Sequence, residues 1–515
     1  MLIKTYSAAV EGIHALLITI ELHAVAGVDF TLVGLPDNAV RESRDRIRAA
    51  LQVNGYDIPH KQLTINMAPA DLKKEGAGYD LPLAIGMLAI CEHIPTHALE
   101  GRMFVGELSL DGTLQPIHGM LPIALCAKEQ GLKEIIVPKD NALEAAVVEG
   151  LDVYGAENLM DVVHFLNGIQ TIEKTTVDIQ QEFEKGQTIC DADFSDVRGQ
   201  ENVRRAMEIA AAGGHNILMI GPPGTGKSML AKRLPSILPP LSLKEALETT
   251  KIHSVAGLLP KNRSILTQRP FRAPHHTITD VALVGGGTNP RPGEISLANN
   301  GVLFLDELPE YKRSALEVMR QPLEDHKIIV SRSRFSVEYP ATFMLVAAMN
   351  PCPCGHYGDP NTICTCTPSQ VHRYKDKISG PLLDRIDITV PVQAVPYSEL
   401  SKMEPGEPSK DIRARVVRAR EIQIERFKAD ESNTTVYCNA QMTPKMLRKY
   451  CVLDAMSDQL LEQAMAQFGL SARAYDRILK VARTIADLEG METIQVAHLM
   501  EAISYRSLDR DSWGE

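Results

Sequence analysis

Between the apolar run Ile217-Leu-Met-Ile220 and the helix-forming run Ser228-Met-Leu-Ala-Lys-Arg-Leu234, residues 221–228 read Gly-Pro-Pro-Gly-Thr-Gly-Lys-Ser. This fits G-x-x-x-x-G-K-[ST], a phosphate-binding loop, in the strand–loop–helix context the motif requires. Gly221, Gly224 and Gly226 let backbone N–H groups curl round phosphate oxygens with no Cβ in the way. The helix N-terminus adds favourable partial charge. Pro222, Pro223 and Thr225 complete the loop. Lys227 is expected to reach the β- and γ-phosphates, and Ser228 to hold Mg²⁺. A turn that is merely rich in glycine would not bring strand, loop and helix into agreement. The segment therefore predicts a parallel α/β sheet that binds a nucleoside triphosphate such as ATP.

Three further segments point from binding to hydrolysis. Gly301-Val-Leu-Phe-Leu-Asp306-Glu307 is an apolar strand ending in two acids. Asp306 is placed to hold the Mg²⁺ shell, and Glu307 to orient and polarise the attacking water. Thr342-Phe-Met-Leu-Val-Ala-Ala-Met349 is a second buried strand and ends in Asn350. An amide there can hydrogen-bond both the γ-phosphate and the water, although a strand-end asparagine is otherwise a turn residue. Gly380-Pro-Leu-Leu-Asp-Arg385-Ile-Asp387 sets one arginine between a helix and an apolar strand. Two readings of Arg385 stay open. It is either a finger presented to a neighbouring subunit's γ-phosphate, worth about 10³–10⁵ in rate, or an ordinary salt bridge to Asp384 or Asp387.

A length of 515 residues suits several domains of about 100–200 residues each. The expected divisions are an N-terminal domain over 1–167, a polar linker over 168–190, a nucleotide-binding core over 191–396 and a helical region over 397–515. The net charge of −11 excludes a basic nucleic-acid coat, so any nucleic-acid contact has to be local. The longest apolar run, Leu81 to Cys91, is too short to span a membrane, and Met1-Leu-Ile-Lys4 shows no signal peptide. A cytoplasmic protein without a membrane partner is expected.

Nine cysteines in a chain this long do not make a secreted disulfide scaffold. Four of them form Cys352-Pro-Cys354 and Cys364-Thr-Cys366, separated by a turn-rich stretch. Four thiolates suit tetrahedral Zn²⁺, and His356 or His372 is available in place of one thiolate. Reduced free thiols and a redox disulfide remain the alternatives.

Together these segments resemble the AAA+ ATPases, and within them the magnesium-chelatase-like branch. Arg272-Ala-Pro-His-His-Thr277, Gly285-Gly-Gly287, Arg291-Pro-Gly-Glu-Ile-Ser-Leu-Ala298, Asn350-Pro-Cys-Pro-Cys-Gly355 and Leu470-Ser-Ala-Arg473 are similar to the YifB/ComM family. The resemblance covers essentially the whole chain. It implies a homo-oligomeric ring, a hexamer, with ATP held between subunits. It implies that Arg473, on a C-terminal helical lid, is a second sensor of the nucleotide. It also implies a DNA motor linked to branch migration in the recombination of incoming DNA. Lys327-Ile-Ile-Val-Ser-Arg332-Ser-Arg334 begins an expected β-hairpin with basic residues at its tip. In related motors such hairpins line the pore, where Lys327, Arg332 and Arg334 would pair with DNA phosphates whatever the sequence. A solvated charge cluster is the plainer reading.

Ala68-Pro-Ala-Asp-Leu-Lys-Lys-Glu-Gly-Ala-Gly78 and Gly106-Glu-Leu-Ser-Leu-Asp-Gly112 resemble the Lon peptidase fold. Such a peptidase needs a serine activated by a lysine. Gly78 stands where the serine would be and Leu121 near the lysine, which argues against proteolysis. The domain is expected to serve assembly or DNA binding, with Lys73, Lys74 and the Arg41/Arg44/Arg46/Arg48 helix face as candidate contacts and a solvated face as the alternative. Two further classes are weighed: a chelatase-type remodelling subunit and an ATP-dependent protease.

Overall fold

The computed structural model describes residues 2–506 apart from 28–29, 36, 57–60, 75, 187–191, 261–262, 288–289, 333–334, 360–361, 394–404 and 429–435. Arg334 therefore lies outside the described residues, as do positions 187–190 of the expected linker, and the side chains of Arg41 and Arg332 are not described. Two compact units are formed. One comprises Met1–Gly186, Ser242–Thr267 and Pro290–Pro292; the other comprises Gln187–Leu241, Gln268–Asn289 and Gly293–Glu515.

The first unit is built on an eight-stranded mixed sheet. Its order is Lys174–Thr175, Asp152–Ala156, Glu134–Pro138, Arg102–Phe104, Leu2–Glu11, His14–Ala26, Lys61–Ala68, Phe30–Val33. Along His14–Ala26 the alternate residues Ile18, Ile20 and Leu22 are fully buried, the two-residue period of a sheet with one face on a core. The apolar run that is too short for a membrane is a helix, Asp80–Ile90, buried at every position. At Gly86 a Cβ would come within 2.5 Å of Leu22 Cδ1, so glycine sets the close approach of helix to strand. Among the described residues no helix is long and apolar enough to cross a membrane.

The helix Leu243–Ala256 starts at a capping box of Ser242 and Glu245. It follows the P-loop helix in sequence, yet it belongs to the first unit. Gly119 N–H donates to the carbonyl of Ser254 (3.1 Å), and the Ser254 hydroxyl donates to Glu144. Glu144 also accepts from Leu121 N–H (2.9 Å). Burial pushes the Glu144 carboxyl up, against the pull of these hydrogen bonds.

The second unit holds a five-stranded parallel sheet in the order Phe271–Arg272, Val302–Leu305, Met344–Met349, Ile217–Ile220, Ile388–Pro391. The three central strands are buried throughout, as a parallel sheet covered on both faces requires. A single apolar core joins Val346 and Ala348 of the sheet to Val203 and Leu230 of flanking helices and to Val416, Ile478 and Leu499 of the C-terminal helices.

A buried ionic cluster ties those C-terminal helices to the sheet. Asp387, just before the strand Ile388–Pro391, accepts from Asn216 N–H (3.1 Å) and pairs with Arg477 and with His215 (3.3 Å). Burial alone would push the Asp387 carboxyl up; the charge of Arg477 and the contact with His215 outweigh it and hold the carboxyl well below its usual range. A carboxylate depressed in the folded state stabilises above its unfolded value, near pH 4, and loses that contribution as pH falls further. Replacing Arg477 with methionine leaves a buried charge without its main partner. A loss of about 3–5 kcal/mol at pH 7 is expected, shrinking as the pH drops below about 4. Thermal denaturation across that range checks it; an unchanged midpoint at pH 7 would contradict the cluster's role.

Candidate active site

The turn from the strand Ile217–Ile220 into the helix Lys227–Ile237 is made by glycines for two different reasons. Gly224 and Gly226 have φ of 79° and 86°, where glycine is strongly favoured. At Gly221 a Cβ would lie 2.1 Å from the carbonyl of Val392. Lys227 is buried, and its Nζ donates to the carbonyls of Gly221 (2.7 Å) and Pro222 (2.8 Å) and to Asn350 Oδ1 (3.2 Å). Burial lowers its ammonium pKa, while Asp306 and Glu307 pull it back up. Ser228 Oγ donates to Asp306 Oδ2 (2.5 Å). Three strand ends of one sheet thus bring Lys227, Ser228, Asp306 and Asn350 together.

A hydroxyl beside a carboxylate is the hard oxygen pair that suits Mg²⁺. The Gly221–Gly226 turn leaves open space at Gly224 for phosphate. The residues present therefore fit a nucleoside triphosphate with Mg²⁺.

Glu307 follows Asp306 with φ 52° and ψ 47°, the left-handed region that non-glycine residues rarely occupy. Such conformations cluster at functional sites. Its N–H donates to Asp306 Oδ1 (2.9 Å), and its carboxylate points at His276 (3.3 Å). His276 was not singled out from the sequence as a site residue. The signal was present in the pair His275-His276, but nothing in the spacing says which strand end the pair faces.

Arg385 forms a salt bridge, but not to either neighbour in sequence. Its Nη2 pairs with Glu324 (2.5 Å), Nε donates to the carbonyl of Arg320 (3.0 Å) and Nη1 to that of Pro381 (2.6 Å), leaving it 5% exposed. Asp387 is taken by Arg477 and His215. Arg473 is exposed in the first turn of the helix Ala472–Leu488.

The hairpin forms, with Lys327 opposite Pro340 and Arg332 opposite Phe335. Lys327 is therefore at its base, about 17 Å of strand from Arg332, and pairs across the strands with Glu338 (3.0 Å). The tip position expected for Lys327 is corrected by this register. On the first unit, Lys74 is buried, Arg46 pairs with the buried Asp80 (2.8 Å) and Arg44 lies over the Phe30 ring at 5.4 Å. Of that arginine series Arg44 and Arg48 are both solvent-exposed.

The four clustered cysteines converge. Their Sγ atoms lie within 4.8 Å of one another, with separations of 3.3 Å (Cys352–Cys354), 3.7 Å (Cys352–Cys364) and 3.5 Å (Cys354–Cys364). Tetrahedral Zn–S bonds of about 2.3 Å imply S···S of about 3.8 Å, so the thiols fit a metal of that kind. Neither histidine joins them: His356 bonds Asp359 (3.1 Å), and His372 is on the helix Pro368–Lys375. The cluster abuts the phosphate loop. A Cβ on Gly355 (φ 86°) would sit 2.6 Å from Pro223 Cδ.

A five-stranded parallel sheet with a phosphate loop, an acidic strand end and an amide strand end defines a P-loop nucleotide-binding protein of the AAA+ kind. The sequence matches the family models for magnesium chelatase, subunit ChlI, over residues 193–400, for subunit ChlI of Mg-chelatase over 20–141, and for the subunit ChlI C-terminal region over 406–506. It is 46% identical to the competence protein ComM of Haemophilus influenzae over 98% of this chain and 97% of that protein. It is 45% identical to YifB of Escherichia coli over 98% and 97%. It is also 25% identical to the magnesium-chelatase 38 kDa subunit of Rhodobacter capsulatus over 62% and 89%. The chain belongs to the YifB/ComM family of magnesium-chelatase-like AAA+ proteins.

Proposed function

We propose that this chain is an ATP-driven, hexameric cytoplasmic ring motor acting on DNA, a branch-migration helicase that promotes recombination of incoming DNA in natural transformation. The observation that carries the ATPase part is the convergence of Lys227, Ser228, Asp306 and Asn350 at three strand ends. Full-length similarity to a competence protein supports the DNA part. Bound ATP with Mg²⁺ supplies the phosphoryl group and the charge that Lys227, Ser228 and Asp306 hold. Asn350 orients the γ-phosphate, and Glu307 takes the proton of the attacking water.

Arg385 is the finger for the next subunit's ATP, which requires it to exchange Glu324 and two carbonyls for phosphate. Arg473, already exposed, is the second sensor on a helical lid over 397–515. The core occupies 191–396, and Lys327, Arg332 and Arg334 belong to the pore hairpin. The domain over 1–167 is an inactive Lon-like fold. In support of that reading, a Cβ at Gly78 would have Ile117 and Val105 side chains as its nearest neighbours (3.7 and 3.8 Å), and Leu121 is wholly buried; neither glycine nor leucine is a nucleophile or a base. The cysteine cluster holds a structural Zn²⁺. A chelatase-type remodelling role is the second reading, favoured by the match to the magnesium-chelatase models.

Migration of a labelled four-way junction tests the proposal. ATP-dependent strand exchange is expected, lost with a non-hydrolysable analogue; a junction left intact by an active ATPase would favour the remodelling reading. Reversing the charge of Arg332 and Arg334 together should abolish stimulation of the ATPase by DNA, and unchanged stimulation would remove the hairpin from the account. Arg385→Ala is expected to lower turnover by about 10³-fold or more. Mixing it with Lys227→Ala subunits should restore part of the activity, because each mutant supplies what the other lacks across the interface. No recovery at any mixing ratio would place Arg385 outside the ATP site.

A further inference from the structure

We propose that His276 is a positioning residue for Glu307, fixing the carboxylate that activates the hydrolytic water. The inference rests on Glu307 as the base. Glu307 is half-exposed, and a lone carboxylate at a strand end would sample several rotamers. His276 Nδ1 lies 3.3 Å from Glu307 Oε2, an ion-pair approach. A small turn of the ring directs an N–H at that oxygen, which holds one side of the carboxylate and leaves the other to accept a proton. A base held in turn by a third group is a recurring catalytic arrangement.

The segment that carries His276 is itself fastened at two points just before it. Before it, Arg272 grips Glu294 through two bonds (2.6 and 2.7 Å). Beyond Glu307 in the chain, Tyr311 donates its hydroxyl to the Pro274 carbonyl (2.6 Å). The His275 ring lies against the His276 ring with centroids 4.1 Å apart, and His275 Nδ1 bonds Thr277 Oγ1 (2.9 Å). Burial, with Asp306 and Glu307 close by, pushes the Tyr311 hydroxyl far above its ordinary range, so it stays a donor. The Tyr311 hydroxyl thus ties the Glu307 strand end to the histidine segment.

The test is a kinetic cycle on the full chain, with nucleotide affinity measured on the same samples. His276→Ala is expected to lower kcat about tenfold or more, the loss of one hydrogen bond to a charged group, with KM unchanged. His276→Asn, which keeps an N–H near the Nδ1 position, should recover most of it. In a Glu307→Gln background, His276→Ala should have no further effect, because groups that act as a unit are not additive. An additive loss, a rise in KM alone, or no rescue by Asn would overturn the inference. Absence of ATP hydrolysis by the unaltered chain, or full turnover by Glu307→Gln, would instead remove the base on which it rests.

Discussion

Replacing Glu307 with glutamine is expected to leave ATP bound and lower its turnover by about 10²–10⁴-fold. The substitution keeps size and hydrogen-bonding reach but removes the proton acceptor. The hydrogen bonds that hold the phosphate cradle do not run through its side chain: Lys227 is held by Gly221, Pro222 and Asn350, and Ser228 by Asp306. The backbone of Glu307 is fixed in its left-handed conformation by the N–H donated to Asp306 Oδ1, and glutamine retains that bond. Retained nucleotide on a filter or by equilibrium dialysis, together with steady-state phosphate release, separates the two effects. Loss of binding along with turnover would mean that Glu307 shapes the pocket instead of acting on the water.

Replacing Cys364 with serine is expected to strip the metal and to weaken the ATP site with it. A four-thiolate site binds structural Zn²⁺ with about 10–16 kcal/mol in small peptides, and that binding energy is folding energy. Serine cannot supply a thiolate at the distances seen between Cys364 and its neighbours Cys352 and Cys354. The damage should not stay local, because the turn at Gly355 rests on Pro223 of the phosphate loop, and the cluster begins two residues after Asn350. Elemental analysis should find close to one zinc per chain in the unaltered protein and far less in Cys364→Ser. The variant should also melt earlier and bind ATP more weakly. A folded, active chain without metal would return the cysteines to the reduced-thiol or disulfide readings.

What the sequence made legible was whatever is local. The phosphate loop is written in consecutive residues, and its glycines are required by φ at Gly224 and Gly226 and by a close carbonyl at Gly221. The strand ends Asp306 and Asn350 could be read because continuous apolar runs end there. Contacts that join distant segments could not. The helix Leu243–Ala256 has clear helical periodicity and a capping box, yet periodicity does not say which core a helix joins, and it packs in the first unit. The ion-pair partner of Arg385 is Glu324, far away in sequence, where a local reading could offer only Asp384 and Asp387. Lys327 was expected near the hairpin tip; the pairing register fixed by Lys327 opposite Pro340 puts it at the base.

Whether hydrolysis at this site drives work on DNA is read from the steady-state ATPase rate of the full chain with and without a four-way DNA junction. The rate is expected to rise with junction concentration to a plateau and to stay at the basal level in the Arg332→Glu, Arg334→Glu double variant. A rate indifferent to DNA, accompanied by cleavage of a peptide substrate, would contradict it.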